Sequence, residues 1–282
     1  MKSRWRNGEN LLAKAPAVTR ILQTGPSDRL GRKQEEAALT WKRDYPGWRY
    51  EYYDDDRLFE YLLSRSDLSP AVIQPEPIIR SVDIFRYVQL WEYGGLYVDL
   101  DFVSLQPMGR CELPIGGVVF GSMATQSGEA EHSVPNAWMY AAQPQHPLWL
   151  VVLELASKRL LDDYVERATG PILVSDAISV YRNMSKAEIS SLRSRYIGGA
   201  ETKRLDTGDS SVHILAPDVL YPISWSTGHR NRLIADFRCA DALLDEHVMR
   251  VPRTSRTRAF TYWYHSWGAD PLSFENDDEE GD

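Results

Sequence analysis

The stretch SVDIFRYVQLWEYGGLYVDLD, residues 81–101, decides how the chain is read. From Ile78 to Tyr93 there is no glycine or proline, and Ile84, Val88 and Trp91 recur at the spacing of one helix face. Gly94-Gly95 ends that helix, because glycine accepts the positive backbone angles that a helix C-terminus asks for. Leu96 to Val103 then reads as a strand. In an extended strand alternate side chains face the same way, so Asp99 and Asp101 are expected on one face and Val98, Leu100 and Phe102 on the other. Asp83 and Arg86, three residues apart on the preceding helix, share a side and can pair. Four charged groups are thus expected at one helix–strand junction. Two carboxylates on one face repel unless a cation lies by them, and an oxygen-rich pair suits Mg²⁺ or Mn²⁺, which also bind phosphate oxygens. A D-x-D by itself is short and common, and it is the surrounding residues that give it weight.

Working outward, residues 18–23 read as a first strand stopped by Thr24-Gly25-Pro26. Residues 33–44 read as a helix with Ala37, Ala38 and Trp41 on one side, and residues 48–53 as a second, aromatic strand. Asp54 is placed to cap a helix over 56–64. A short strand is expected at 118–121, a loop at 122–135 and a helix over 147–161. Further helices are expected at 170–182, 185–197 and 241–247, with strands at 212–215 and 259–265. Strands alternating with helices predict an α/β layered fold. No linker divides the chain, so one domain over 18–270 is expected, between a basic arm (1–17) and an acidic tail (271–282).

At 282 residues with 43% hydrophobic and 26% charged side chains, the chain can build a full core, which excludes wholesale disorder. Cys111 and Cys239 cannot make a disulfide framework. Most of the net charge of −8 sits in ENDDEEGD, residues 275–282, so the body is close to neutral and lacks the basic stripe of a nucleic-acid binder. No run is long and apolar enough to span a bilayer, and the basic N-terminus has no apolar signal core. The expected setting is cytoplasmic, with peripheral membrane contact through the basic arm, or a soluble catalytic piece of a Golgi-type parent.

The residues of 81–101 together resemble the sugar-binding region with the DXD motif of glycosyltransferase family 32. Its pattern is a helix with D-x-x-R-Y followed by Y-G-G-x-Y-x-D-x-D. Asp83, Arg86, Tyr87, Tyr93, Gly94, Gly95, Tyr97, Asp99 and Asp101 stand in that order and spacing. The segment is also similar to the glucosyltransferase domain of large clostridial toxins. Thr19 to Gln23 stands where the family has P-K-I-I-H-Q, without its proline and histidine. Further echoes are Trp41, Pro46-Gly47-Trp48, Asn136, His146-Pro147, Thr169-Gly170-Pro171, Tyr221-Pro222 and His265-Ser266-Trp267, so the resemblance spans roughly 18–268.

That resemblance implies a GT-A fold and a metal-dependent transferase that moves a hexose from a nucleotide-sugar with retention of configuration. A UDP-sugar is favoured, with GDP-mannose next, and the acceptor is a glycan or lipid-linked sugar. It implies that Asp99 contacts the ribose or donor sugar and that Asp99 and Asp101 bring in Mn²⁺ or Mg²⁺. It gives Asp83, Arg86 and Asn136 to the donor sugar, His265 to the metal–diphosphate site and Trp267 to packing beside the leaving phosphates. The residues leave two alternatives open: a non-catalytic nucleotide-sugar or glycan-binding module, and a metal-dependent phosphoesterase. Tyr87 and Trp91 are read as core, and the run Arg250, Arg253, Arg256 and Arg258 as a solvated loop.

Overall fold

Among the described residues, six strands form one mixed sheet and two more form a small antiparallel ribbon. The computed structural model describes residues 18–26, 30–65, 77–124, 134–196, 210–223 and 248–263. The expected arm (1–17) and tail (271–282), the expected helix at 241–247, most of the expected loop at 122–135, and His265 and Trp267 lie outside the described residues.

The first half follows the sequence closely. β1 (Arg20–Gly25) leads to α1 (Arg32–Asp44), whose buried side holds Ala37, Ala38 and Trp41. β2 (Arg49–Asp54) pairs in parallel with β1, and Asp54 ends it by capping α2 (Asp55–Leu63), accepting from the Arg57 amide at 2.8 Å. α3 (Ile79–Tyr93) delivers the chain to β3 (Gly95–Val98), which pairs in parallel with the other side of β1. The connections therefore leave β1 in opposite directions, and the crevice beyond the carboxyl ends of β1 and β3 is a topological switch point, the usual ligand position in an open α/β sheet.

After β4 (Phe102–Ser104) come β5 (Val118–Gly121) and β6 (Trp138–Ala141). Then follow α4 (Leu148–Lys158), α5 (Val165–Ala168), α6 (Pro171–Asn183) and α7 (Lys186–Tyr196). The described chain ends with β7 (Val212–Leu215), α8 (Pro217–Leu220) and β8 (Ala259–Thr261). The sheet order is β2-β1-β3-β6-β5-β7 and the ribbon is β4-β8, with β6 antiparallel to both its neighbours. Side chains alternate across the sheet. Leu22, Tyr97, Phe120 and Met139 pack with α2, α3, α4 and α6 on one face. Ile21, Leu96, Val119 and Trp138 pack with Trp41, Tyr45, Phe102 and Tyr221 on the other. This is the α/β layered, GT-A-type arrangement that the resemblance implied.

Three expectations are corrected. Leu96–Val103 is not one strand. Asp99 O accepts from the Phe102 amide at 3.1 Å, so Asp99 to Phe102 makes a turn between β3 and β4. The alternation argument for the two aspartates therefore fails. Phe102, Val103 and Ser104 leave the main sheet because they pair with Thr261, Phe260 and Ala259. β8 ends at Thr261, the partner of Phe102, where the expected strand was 259–265; of that stretch, residues 264 and 265 lie outside the described residues. β6 was not expected, since a four-residue strand buried on both faces shows no alternation.

Candidate active site

α3 is enclosed around most of its circumference, so its polar residues Arg80, Ser81, Asp83, Arg86 and Gln89 are all buried. Buried polar groups need partners, and two of these build the site. The helix ends at Gly94, with φ 66° and ψ −162°, and Gly95 follows at φ 97°. A Cβ on Gly95 would lie 2.9 Å from the Arg20 carbonyl oxygen. Only glycine allows β3 to come so close to β1 immediately after the helix.

Arg86 is the hub. Its Nη1 donates to the Asn136 carbonyl at 3.0 Å and meets Asp99 Oδ1 at 3.2 Å, while Nη2 meets Asp83 Oδ1 at 3.3 Å. The guanidinium lies over the Tyr97 ring, 4.4 Å from its centroid. Behind it runs a closed hydrogen-bond ring. Thr169 Oγ1 donates to Asp83 Oδ2 at 2.9 Å, and the Tyr87 hydroxyl donates to the Thr169 carbonyl at 2.6 Å. Asn136 Nδ2 donates both to Tyr87 Oη and to Asp83 Oδ1, each at 2.8 Å.

The turn carrying the aspartates is held from both sheets. The Tyr97 hydroxyl donates to Asp99 Oδ1 at 2.7 Å and is 3.0 Å from Thr24 Oγ1 at the end of β1. Gln23 Nε2 reaches the Asp99 carbonyl at 3.2 Å. From the ribbon, Thr261 Oγ1 donates to Asp101 Oδ2 at 2.9 Å and the Tyr262 amide to the Asp101 carbonyl at 3.2 Å. Trp263 follows at φ 57°, with its amide on Thr261 Oγ1 and its ring stacked on Tyr221, centroids 5.3 Å apart. Such a backbone angle is uncommon outside glycine and clusters at functional sites. The buried Tyr221 hydroxyl is close enough to Asp99 and Asp101 that both raise its pKa, secondary to burial itself.

Burial pushes the Asp83 carboxyl up from its ordinary value to about 6, against the opposing pull of Arg86 and the hydrogen bonds from Thr169 and Asn136. Burial also raises Asp99, opposed by Arg86 and Tyr97. Exposure separates the two acids: the Asp83 side chain is 3% exposed and that of Asp99 32%. Asp99 faces the crevice, and Asp83 stands behind it.

The structure thus brings together Asp83, Arg86, Asp99, Asp101 and Asn136. His265 and Trp267 lie outside the described residues. Sequence reasoning missed Thr169, Tyr97, Tyr221 and Thr261 as parts of the site, and it took Tyr87 as core only, although its hydroxyl belongs to the ring. The T-G-P and Y-x-D-x-D echoes were the signals that could have found Thr169 and Tyr97. The arginine run is not simply solvated: Arg256 pairs with Asp218 at 2.7 Å, Arg258 with Glu112 at 2.8 Å, and Arg253 donates to the Val248 carbonyl.

Among the described residues no group of three or more His, Cys, Asp and Glu side chains gathers as a metal site. Asp99 and Asp101 on one turn supply two oxygen donors. That set fits Mg²⁺ or Mn²⁺, which take one or two carboxylates and complete their shell with substrate phosphates and water. No helix among the described residues is long and apolar enough to cross a membrane.

Residues 31–118 match the family described as glycosyltransferase sugar-binding region containing DXD motif. The chain is 24% identical over 173 residues to inositol phosphoceramide mannosyltransferase 1 of Schizosaccharomyces pombe, covering 58% of this chain and 51% of that protein. It is 24% identical over 217 residues to the initiation-specific alpha-1,6-mannosyltransferase of the same organism, covering 64% and 54%. It thus spans about half the length of these curated relatives. Among solved structures it is similar to the PaToxG glycosyltransferase, with a TM-score of 0.44 and 14% identity over 67% of this chain and 84% of that one. Over residues 31–118 the chain is thus similar to glycosyltransferases built around a DXD-containing sugar-binding region.

Proposed function

We propose that the chain transfers a hexose from a nucleotide-sugar to a glycan or lipid-linked sugar, with retention at the anomeric carbon and with Mn²⁺ or Mg²⁺ as cofactor. A UDP-hexose is the favoured donor and GDP-mannose the next. The observation that carries this reading is the turn Asp99–Asp101 at the carboxyl end of β3, backed by Arg86 at 3.2 Å from Asp99 and lying inside the matched region.

A leaving nucleoside diphosphate gains negative charge as the glycosidic bond breaks, and a divalent ion bound to its phosphates offsets that charge as a Lewis acid. Asp99 and Asp101 are the residues proposed to hold the ion, with His265 from the C-terminal segment and Trp267 packing beside the phosphates. Asp99, facing the crevice, also contacts the ribose or sugar. Arg86 fixes the Asp99 carboxylate from behind, so the ligand geometry exists before the donor arrives. Asp83, Arg86 and Asn136 form the floor of the donor-sugar pocket. Asp83 is not poised as a nucleophile, because both its oxygens are engaged by Arg86, Asn136 and Thr169. That supports a same-face displacement in which the leaving phosphate accepts the acceptor's proton.

The test is slow donor hydrolysis on a panel of UDP- and GDP-sugars with Mn²⁺, comparing the native chain with Asp101→Ala. Hydrolysis of one donor that requires both Mn²⁺ and Asp101 is expected. Binding of a donor with no turnover, in the presence of candidate acceptors, overturns catalysis in favour of a binding module. Hydrolysis of simple phosphoesters without nucleotide-sugar preference overturns the transfer reading altogether.

A further inference from the structure

We infer that Thr169 is a positioning residue: by holding Asp83 it fixes the Arg86 guanidinium against Asp99. The inference rests on the transferase reading only for its catalytic consequence.

A threonine hydroxyl has one proton to donate. At Thr169 two acceptors compete for it, Asp83 Oδ2 at 2.9 Å and the Val165 carbonyl at 3.5 Å. The shorter bond, to a carboxylate, is the stronger. Among the described residues it is also the only hydrogen bond to Oδ2 of Asp83, since Asn136 and Arg86 both meet Oδ1. Without Thr169 that oxygen is buried and unsatisfied, and the carboxylate can turn about its last bond. Arg86 would then lose one of the two anions that fix it between Asp83 and Asp99. Thr169 is doubly anchored to make this hold rigid, because its carbonyl accepts from Tyr87, one turn along α3 from Asp83. A loop residue between α5 and α6 thereby sets the orientation of a group two contacts away in the crevice. The same ring uses both Nδ2 protons of Asn136 on Asp83 and Tyr87, so Asn136 works in this ring as a second support of Asp83.

Thr169→Val keeps the shape and removes the hydroxyl, Thr169→Ser keeps the hydroxyl, and Thr169→Ala is a second removal should the valine variant not fold. Two measurements are made on each. The first is the carboxylate titration of Asp83 by carbon-13 resonance, assigned with Asp83→Asn. The charged and titratable groups facing Asp83 are Arg86 and Tyr87 from α3 and Asp99 from the turn, and all are left in place. Removal of the hydroxyl takes away a bond to the ionised form, so the midpoint moves to higher pH in Val and Ala and returns in Ser. The second is donor hydrolysis: kcat falls about 10-fold or more in Val and Ala with KM little changed, and Ser recovers it. An unchanged midpoint, or a serine variant as impaired as valine, overturns the role of Thr169 while leaving the transferase reading intact. A native chain that turns over no donor overturns that reading, and the titration still decides whether Thr169 holds Asp83.

Discussion

Arg86 Nη1 and Asp99 Oδ1 meet at 3.2 Å across the junction between a buried helix and the turn that follows β3. The arginine side is 4% exposed and the aspartate side 32%, so the pair spans the boundary between core and crevice. One end is fixed by packing and the other opens on the crevice. Removing the arginine therefore affects both stability and the site. Arg86→Ala leaves Asp83 buried beside no cation, and breaking a buried pair from one side costs about 3–5 kcal/mol. Urea unfolding should show a loss of that order, and Arg86→Lys should recover only part of it, because one ammonium cannot reach Asp83, Asp99 and the Asn136 carbonyl at once.

Asp83 gives the protein a pH dependence of defined sign. Its folded pKa, about 6, lies above the ordinary carboxylate value. The folded state therefore holds a proton that the unfolded state has lost between about pH 4 and 6, and stability falls as pH rises through that window. The shift corresponds to about 3 kcal/mol between its ends. Asp83→Asn keeps an acceptor towards Arg86 and Asn136, and its amide can donate to Thr169, whose hydroxyl turns to accept. Denaturant midpoints measured from pH 4 to 7 should show this decline in the native chain and lack it in Asp83→Asn.

Gly95→Ala should weaken the whole junction. At φ 97° a side chain is strained by about 1–3 kcal/mol, and its Cβ would also press on the Arg20 carbonyl at 2.9 Å. Thermal or urea unfolding measures the loss, and the weakened β1–β3 pairing should lower donor binding in parallel.

Ligand binding gives a readout that needs no acceptor. Nucleoside diphosphate with Mn²⁺ at 100 times its dissociation constant should stabilise the native chain by about 2.7 kcal/mol. Chelation of the metal should remove that gain, and Asp101→Ala should fail to show it. An equal thermal shift with and without Mn²⁺ would count against metal-dependent binding.

Local patterns carried much of this architecture. Asp54 read as a cap and is one, and Gly94-Gly95 read as a helix stop and turns the chain there. The segment after Val98 was misread for a physical reason. Val-Asp-Leu-Asp-Phe-Val alternates as a strand should, and nothing local breaks it. What bends it is pairing of Phe102–Ser104 with Ala259–Thr261, a tertiary contact with no local signature. The site was legible in the same degree. Asp83, Arg86, Asp99 and Asp101 stood out by spacing. Thr169, Tyr97 and Thr261 did not, because the direction of a hydroxyl follows from packing rather than periodicity.

The hydrogen bond from Thr261 to Asp101 joins residues 160 positions apart. On a ribosome adding about 5–20 residues per second, the acidic turn is made on the order of ten seconds before its anchor exists. During that interval the β1–β3 half can fold around Arg86 while Asp101 still lacks its ribbon. The order of synthesis thus delays completion of the turn until β8 has docked.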